Sequence, residues 1–598
     1  ECMETGVAYN NLTTTPSARN PLYTKLAATN FRFDVVALQT GGVQASSYTA
    51  AANVTVELFD DSASPSPTCS AYASPVASQS ITFVAGDAGR KTLPANFNLP
   101  NAYRKLTCRV RDTNLTPTVY GCSSDDFSVR PTAITVTSSA NADSTGTSVS
   151  TASPIKAGAS FSMTAATAVA GYNGTPSAGA PAGHSGAVQN GSISGAFGAA
   201  AAASGTATGS FAYSEVGYFR FNTAGVYDDT YTVIDQPTDC TNDFSNTAVA
   251  SGVDAGKYGC KFGNTAATPY FGRFIPDHFA VTPGSPVAAC TMHPAASGSY
   301  TPVDFSYFDQ DGFATPFTLT AQNAANVTTQ NYAGGFARLG LTTWSNFGFA
   351  TASALPAGSI LSASATAPTG TWVAGVASVT ARHRISRPTA LAAPASVVIN
   401  ALPLDLDGVT RTSATPVASA TTLRFGRLRL SNVLGPDTRD LRIPMEAQYW
   451  NGTSFVRNAD DSCTTVAGSA WSFGNYVKKP AGAVFSPIAA DKTLAGGINS
   501  LQIPKPTGGR VTFDTSINLA TTGAETAAAS CLKNLSLATP TRPWVPVVTT
   551  SAPSPVRTSL AHLAGQWCDT TPTNNPSARG SFGLYRGAES LVYQRESY

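Results

Sequence analysis

The chain has 598 residues, a net charge of +2 and only 12% charged residues, roughly half the share of an average soluble protein. Hydrophobic residues make up 42% of the chain, which is enough for packed cores and excludes a largely disordered chain. The nearly neutral charge argues against nucleic acid as a partner, because such binders carry a strongly basic surface. At about 100–200 residues per domain, the length indicates three to five domains.

Short alternating runs of β type recur along the chain, and no long stretch has the 3.6-residue periodicity of a helix. The clearest runs are Phe33–Leu38, Val54–Phe59, Ile81–Val84 and Leu106–Val110. Turn-forming residues bound each run, and this spacing is typical of β-sandwiches in series. We therefore predict an all-β fold of tandem immunoglobulin-like, Greek-key β-sandwich domains, arranged in an elongated row and stapled by disulfides.

A weak internal repeat marks the expected domain joints. Phe127–Pro131 and Phe271–Pro276 each end in proline before a new alternating strand, and Phe425–Leu430 resembles a third joint without the proline. Proline fixes its own φ and restricts the preceding residue, so these joints are expected to be semi-rigid. The predicted division is an N-terminal extension followed by four sandwiches: 1–22, 23–131, 132–276, 277–423 and 424–598.

The second predicted sandwich contains residues 175–210, a segment rich in Gly, Ala and Ser. Such a composition cannot form a packed core of its own. We expect a long loop there, with weak strand pairing at most.

The ten cysteines are even in number and widely spaced, and the closest two, Cys108 and Cys122, lie fourteen positions apart. Zinc sites usually need two ligands within about two to four residues. The spacing therefore favours structural disulfides formed in an oxidising compartment over reduced cytosolic thiols.

The sequence also bears on processing and location. The chain begins at Glu1 without a basic and apolar leader, which predicts a mature or truncated form. No stretch approaches the roughly 20 apolar residues of a membrane helix. We expect a secreted or surface-attached protein whose anchor is supplied by a partner or by another part of the protein.

One disulfide is predicted from position alone. Cys240 and Cys260 flank a loop-rich stretch before the second joint, and closing a loop of about 20 residues stabilises a fold by roughly 3 kcal/mol. In the C-terminal half we expect Cys463 to pair with Cys531 and Cys290 with Cys568, although other connectivities stay open because sequence does not determine them.

Two Asp-x-Asp-Gly stretches are weak candidates for a calcium site. They contain Asp309 with Asp311, and Asp405 with Asp407. Alternate aspartates before a glycine resemble the start of a calcium loop, but the third ligand position and the distal glutamate are missing. The alternative is an Asp-Gly hairpin turn. Apart from this possible calcium, we predict no cofactor.

Aromatic and basic residues suggest one possible binding surface. Tyr449 and Trp450 precede Asn451-Gly452, so they are expected beside a hairpin turn. An exposed tryptophan there can stack on a sugar, whereas tryptophan in a sandwich usually belongs to the core. Two basic groups are expected on solvated strand faces, or else in contact with an anionic polysaccharide or a pilin; they comprise Arg382, Arg384, Arg387, Arg424, Arg427 and Arg429.

No catalytic motif is found. Adjacent carboxylates occur at Asp60-Asp61, Asp125-Asp126, Asp228-Asp229 and Asp460-Asp461. Neighbours on a strand point to opposite faces, so such a pair does not form an acid/base site by itself, and in loops these residues more often cap turns. We therefore predict that the chain is not an enzyme.

Several segments together suggest a family. They are Tyr23–Leu38, Asp87–Thr92, Cys122–Pro131, Gly272–Phe279, Gly426–Leu430, Tyr449–Gly452, Asn458–Cys463, Asn575–Arg579 and Tyr585–Gly587. In this order they resemble the family of exported bacterial proteins that includes the Q protein of the mannose-sensitive haemagglutinin (MSHA) type IV pilus operon. The C-terminal region of that family is a domain of unknown function.

The resemblance implies a surface protein of Gram-negative bacteria that is pilus-associated or adhesin-like, without established catalytic residues. It also implies a disulfide between Cys69 and Cys122, because relatives lack a cysteine at the position of Cys108. Cys2 then remains for Cys108, which ties the extension to the first sandwich.

We therefore expect a non-enzymatic exported scaffold or adhesin-like component of a type IV pilus. Its expected partners are pilus or surface proteins, copies of itself, or a glycan. One alternative is a structural subunit of an extracellular β-rich filament, in which residues 1–22 reach the next copy, because open sheet edges can accept a strand from a neighbour. A second alternative, a secreted polysaccharide hydrolase, depends only on the paired carboxylates.

Overall fold

The computed structural model describes residues 1–62, 66, 68–140, 154–478, 491–507, 509–521, 545–546, 558–567 and 570–583. The regular structure of these residues is β, and their helical segments are 3₁₀ turns of three or four residues. These turns are Cys69–Ala71, Ala85–Asp87, Thr232–Ile234, Gly334–Phe336, Trp344–Phe347, Gly468–Ala470 and Ala561–Leu563. A helix with the length and hydropathy to cross a bilayer is not found in this part of the chain.

The strands form four successive groups, which we call the first to fourth sandwich. The first contains β1 Cys2–Met3, β2 Lys25–Leu26, β3 Asn30–Phe31, β4 Asp34–Val36, β5 Ala50–Asp60, β6 Ala77–Phe83, β7 Arg90–Thr92, β8 Phe97–Asn98, β9 Tyr103–Asp112 and β10 Val119–Arg130. The second contains β11 Thr135–Ser138, β12 Ile155–Lys156, β13 Ser160–Ala166, β14 Ser177–Ala178, β15 Ala182–Gly183, β16 Ile193–Phe197, β17 Thr206–Tyr213, β18 Gly217–Arg220, β19 Val226–Asp228, β20 Phe262–Gly263 and β21 Phe271–Ile275.

The third and fourth groups complete the described chain. The third contains β22 His278–Pro283, β23 Ser306–Tyr307, β24 Phe313–Gln322, β25 Ala350–Thr351, β26 Leu361–Ala363, β27 Trp372–Val373, β28 Val376–Ile385, β29 Ala395–Val397, β30 Ile399–Ala401, β31 Thr415–Pro416 and β32 Thr421–Arg424. The fourth contains β33 Gly426–Leu430, β34 Val433–Gly435, β35 Leu441–Trp450, β36 Phe455–Arg457, β37 Thr465–Val466, β38 Trp471–Lys478, β39 Lys492–Thr493, β40 Ile498–Ile503, β41 Thr512–Ile517, β42 Val545–Pro546 and β43 Ser577–Phe582.

Each sandwich pairs a short early strand in parallel with its last described strand. The pairs are β2 with β10, β12 with β21, β23 with β32, and β34 with β43. Most other strand pairs are antiparallel, as in the five-stranded sheet β2-β10-β9-β5-β6. A parallel pair requires a long connection between its two strands. Here that connection consists of the other strands of the same sandwich, which lie between the two in sequence. The fold is therefore all-β, with immunoglobulin-like sandwiches in tandem.

The chain divides into two compact units. The first unit comprises 1–278, 321–337 and 373–375, and the second comprises 279–320, 338–372 and 376–598. Inside each unit, buried and exposed residues alternate along the long strands, as in β13 and β28, which is the pattern of a sheet with one face in a core.

Aromatic side chains fill the cores of the first unit. In the first sandwich, the ring centroid of Phe33 lies 5.2 Å from that of Phe127 and 5.4 Å from that of Phe31. In the second, the centroid of Phe274 lies 5.0 Å from that of Tyr213. Such pairs bury large apolar areas and add directional ring contacts.

Residues 175–210 differ from the expected loop. Strand β16 pairs with β17 over five residue pairs, and the Phe197 ring, on β16, packs 4.8 Å from that of Phe211 in the core. Gly195 has a φ of +115°, and a side chain there would meet the Ser210 carbonyl oxygen. The small residues therefore allow close strand pairing, and the aromatic ring supplies the apolar anchor.

The structure contains the three disulfides expected in the N-terminal half. Cys2 is bonded to Cys108, Cys69 to Cys122, and Cys240 to Cys260. The first of these fastens the start of the chain to β9, and Cys2 also lies opposite Val35 in the β1–β4 ladder.

The expected pairing in the C-terminal half was wrong. Cys290 is bonded to Cys463 rather than to Cys568, so Cys463 is not available to Cys531; Cys531 and Cys568 lie outside the described residues. The loop after Cys290 packs on the loop around Cys463: the amide of Ser462 donates to the Met292 carbonyl, and the Tyr300 hydroxyl to Asp460. These interactions join positions far apart in sequence.

Candidate binding surface

Tyr449 and Trp450 end β35 and stand beside a hairpin turn, as the sequence predicts. The turn covers residues 451–454 and connects β35 to β36, with Trp450 directly opposite Phe455. Its geometry is fixed by the Asn451 side chain, whose Oδ1 accepts hydrogen bonds from the amides of Thr453 and Ser454. This side-chain turn is typical of asparagine. The Trp450 ring packs edge-on against Phe455, with centroids 5.3 Å apart.

An arginine lies against this aromatic pair. The guanidinium carbon of Arg427 is 3.6 Å from the Phe455 ring centroid and 4.6 Å from that of Trp567. Its Nε donates a 2.8 Å hydrogen bond to Oε1 of Gln448, the residue opposite it on β35. Burial, together with the nearby charge of Arg429, lowers the pKa of Arg427 to about 10, so it remains charged at neutral pH.

A second arginine, Arg424, lies on the buried side of Tyr449. Arg424 is 6% exposed and forms a 2.7 Å ion pair with Asp460. Its guanidinium carbon lies 4.7 Å from the Phe305 ring centroid and 4.6 Å from that of Tyr449. Tyr449 is thus held from behind by a buried cation, an arrangement that fixes the orientation of its ring.

A third arginine holds the segment that carries Trp567. Arg387 donates hydrogen bonds to the carbonyl oxygens of Ala564 and Pro572, both at 2.9 Å, and to that of Gly426 at 2.6 Å. Its guanidinium carbon lies 4.3 Å above the Phe425 ring. Because these contacts involve both the sheet and the segment around residue 567, they place Trp567 beside Arg427.

The expected solvated basic face is therefore only partly correct. Arg384 and Arg429 are exposed, whereas Arg424 is buried against Asp460 and Arg387 is bonded to three carbonyl groups. Alternation along one strand does not reveal a partner in a distant segment, and this is why the burial of Arg424 could not be read from the sequence.

We call the half-exposed side chains of Arg427, Tyr449, Trp450, Phe455 and Trp567 the aromatic surface. It offers ring faces and edges, one fixed positive charge and the polar turn at Asn451. The sequence identified Tyr449 and Trp450. It contained no signal for Trp567, because that residue reaches the sheet only through a long-range contact. Trp544, another of the six tryptophans, lies outside the described residues.

The weak calcium candidates lie in turns with partners of their own. Asp309 forms an ion pair with Arg384 at 2.6 Å, and Asp311 accepts the amide of Ala365 at 3.1 Å. Asp405 accepts the amides of Asp407 and Val409. None of these four aspartates belongs to a group of three or more metal-ligating side chains in the described part of the chain. Calcium binding at these turns stays a prediction.

Comparison with solved structures finds bacterial surface proteins at low similarity. The Escherichia coli adhesin FdeC is 13% identical, with 64% of this chain and 92% of that chain covered and a TM-score of 0.24. The Yersinia pseudotuberculosis adhesin InvE is 13% identical, with 36% and 53% covered and a TM-score of 0.13. These scores are too low to carry an inference about function.

The family comparison covers the C-terminal part of the chain. Residues 258–426 match the third domain of DUF6701, and residues 424–597 match its fourth domain. No curated protein matches the chain. The matches support the domain of unknown function that the resemblance implied, and the link to the MSHA operon stays a proposal. The matched residues 258–597 make up more than half of the 598 residues, so the chain belongs to the DUF6701 family.

Proposed function

We propose that this chain is a non-enzymatic, exported surface protein that acts as an adhesin-like component and binds a glycan through the aromatic surface. The observation that carries this proposal is the Arg427 guanidinium against the rings of Phe455 and Trp567, with Trp450 packed on Phe455. Aromatic rings can stack on the apolar face of a sugar, and a fixed guanidinium favours a carboxylate or sulfate on the same ligand. The expected ligand class is therefore an acidic glycan.

An extracellular location is supported by the disulfides. Four bridges lie in the described residues, and each joins parts of one compact unit. Disulfides of this kind form and persist in oxidising compartments. The all-β sandwiches with low charge are also consistent with an exported protein.

Association with a type IV pilus is the finer part of the proposal. It is supported by the ordered segments that resemble the MSHA operon family. Deleting the gene should reduce pilus-dependent attachment of the cells to a surface. Normal attachment of the deletion strain, with pili present in normal number, would contradict this part while leaving glycan binding open.

The glycan proposal is tested with the purified full chain. The wild type should bind one or more acidic glycans on an array, and Trp450→Ala should reduce that binding at least tenfold because it removes a stacking ring. Arg429→Ala is the matched control, since this exposed arginine lies on the same strand as Arg427. The proposal fails if no glycan binds, or if both variants bind as the wild type does.

The filament alternative receives less support. It requires residues 1–22 to reach a neighbouring copy, but β1 pairs with β4 of the same chain and Cys2 is bonded to Cys108. Glu4 also forms a 2.7 Å ion pair with Lys25, with both side chains buried. Because these contacts hold residues 1–22 within their own chain, a filament would have to form through another segment or sheet edge.

A further inference from the structure

Three carboxylates from separate parts of the first unit meet beside one arginine. Asp125 lies on β10, Asp235 follows the 3₁₀ turn Thr232–Ile234, and Asp239 precedes the Cys240–Cys260 disulfide. One carboxylate oxygen from each lies within 4.8 Å of the others. We call these three residues the carboxylate cluster.

The cluster carries more negative charge than its neighbours compensate. Arg19 is hydrogen-bonded to Asp125 and, at 2.6 Å, to Oδ1 of Asp239. Of the nearby lysines, Lys105 pairs with Asp61 and Asp126, and Lys257 pairs with Asp254. With all three carboxylates ionised, three negative charges face one guanidinium, which leaves a net charge of −2.

Two oxygen atoms in the cluster lack a hydrogen-bond partner. Asp239 is fully buried, and its Oδ2 accepts no hydrogen bond in the described structure. The same holds for Oδ2 of Asp235, although that residue as a whole is half-buried. Buried carboxylate oxygens are normally paired, because leaving one unpaired costs free energy. These two unpaired oxygens are independent of the charge count and point to a cation as their partner.

We propose that the carboxylate cluster binds a calcium ion between Asp125, Asp235 and Asp239. Calcium takes only oxygen ligands, at 2.3–2.6 Å, so two oxygens that share one ion lie at most about 5 Å apart, in agreement with the spacing found. A divalent ion also balances the net charge of −2. Asp235 is half-buried, so its side gives the ion and its remaining water ligands access from solvent.

The protonation behaviour of the metal-free cluster agrees with this assignment. Burial, followed by repulsion from the other carboxylates, raises the pKa of Asp235 to about 8. Burial also raises the pKa of Asp239 to about 7 and that of Asp125 to about 6, against the opposing effect of Arg19. Without a cation the cluster therefore holds protons near neutral pH, and calcium should displace them.

Calcium at this position would connect two segments of the first unit. Asp125 belongs to the last long strand of the first sandwich, and Asp235 with Asp239 to a loop of the second. The N-terminal extension is attached separately, through the bonds of Arg19 to Asp125 and Asp239. This role does not depend on glycan binding by the aromatic surface of the second unit.

The test uses the full chain and calcium chloride alone as the probe. Calcium is titrated to about 10 mM, ten times the weakest affinities of extracellular calcium sites. We expect the melting temperature to rise by several degrees. We also expect calorimetry in two buffers of different ionisation enthalpy to show proton release on binding at pH 7. Both responses should be lost in Asp239→Asn and in Asp235→Asn.

Asp311→Asn is the matched control, because it removes an aspartate of an Asp-x-Asp-Gly turn and leaves the cluster intact. It should keep the full calcium response. Because Asp235 is only half-buried, its variant serves if Asp239→Asn fails to fold. The proposal is overturned if the wild type shows no calcium response. It is also overturned if the response survives in the folded cluster variants, or disappears in Asp311→Asn alone.

Discussion

The two compact units hold buried charge in opposite ways. In the second unit, Arg424 faces one carboxylate, Asp460, which also accepts a hydrogen bond from the Tyr300 hydroxyl at 2.8 Å. Burial alone would raise the pKa of Asp460, but the bonds from Tyr300 and Arg424 outweigh it and keep this pKa below its ordinary value. In the first unit, Arg19 serves two of three clustered carboxylates, whose pKa values are all raised.

Burial raises the pKa at both places, and the outcome differs because the donors to Asp460 outweigh this effect, whereas the single arginine beside the carboxylate cluster does not. The Arg424–Asp460 pair balances one positive with one negative charge and should respond little to pH or cations. A cluster with excess negative charge must take up protons or a metal ion. The carboxylate cluster of the first unit should therefore respond to pH and cations, and the Arg424–Asp460 pair of the second unit should not.

Breaking the Arg424–Asp460 pair should lower the free energy of unfolding more than the other changes considered below. Asp460→Ala leaves the Arg424 guanidinium buried without its counter-ion, and breaking such a pair typically costs about 3–5 kcal/mol. We expect the transition of the second unit to shift to much lower urea concentration. Asp440→Ala, at an exposed aspartate that accepts bonds from Gln502 and Lys505, should leave this transition almost unchanged. Equal effects of the two variants would refute the assigned importance of the buried pair.

Loss of the Cys240–Cys260 disulfide, which lies beside the carboxylate cluster, should have the next largest effect on stability. The Cys240→Ser/Cys260→Ser double variant frees a loop with a sequence separation of 20, which costs roughly 3 kcal/mol on the chain-entropy model. Because Asp239 adjoins Cys240, the calcium response should weaken as well. Calorimetric melting with and without calcium measures both effects, and an unchanged calcium response would show that the cluster does not need the bridge.

Removing the arginine beside the carboxylate cluster should have a smaller, pH-dependent effect on stability. Arg19 is about a quarter exposed, and Arg19→Gln removes its charge and its bonds to Asp125 and Asp239. We expect a loss of about 1–3 kcal/mol at pH 8, and a smaller loss at pH 5, where the carboxylates are protonated. Urea titrations at the two pH values measure this. A loss that is the same at both would contradict the charge imbalance.

The smallest of these effects should be the contribution of Asp235 to the pH dependence of the free energy of unfolding in the metal-free protein. The raised pKa of Asp235, about 8, means that the folded state holds a proton that the unfolded state releases near pH 4. Between these values the unfolded state binds fewer protons, so the free energy of unfolding falls as pH rises from about 4 to about 8. Asp235→Asn should reduce this fall in the free energy of unfolding by about 1 kcal/mol, after allowance for its exposure. An unaltered slope in the variant would exclude Asp235 as the titrating group.

Local patterns predicted the strands well. The run Val54–Phe59 lies inside β5 and Leu106–Val110 inside β9, because alternation reflects a sheet with one buried face. The segment 175–210 was misjudged, since its composition hid the single aromatic anchor at Phe197. Small residues are ambiguous in this respect: they permit a loop, and they equally permit two strands to approach closely.

The candidate sites depended on contacts that sequence does not reveal. The turn beside Trp450 was visible because Asn-Gly is a local signal, but the position of Trp567 follows from hydrogen bonds of Arg387 more than 170 residues away in sequence. Asp125 and Asp126 were correctly expected to face apart, and they bond to Arg19 and Lys105, respectively. That Asp125 meets Asp235 and Asp239 could only come from the fold.

The repeated parallel pairing of early and last strands has a mechanical consequence. A pull that enters a sandwich through β12 and leaves through β21 draws these two strands in opposite directions along their common axis. The same holds for β23 with β32 and for β34 with β43. Under such shear, the hydrogen bonds of a pair share the load together instead of opening one after another. A force applied between the two strands of such a pair would thus act along the direction in which a sheet resists most.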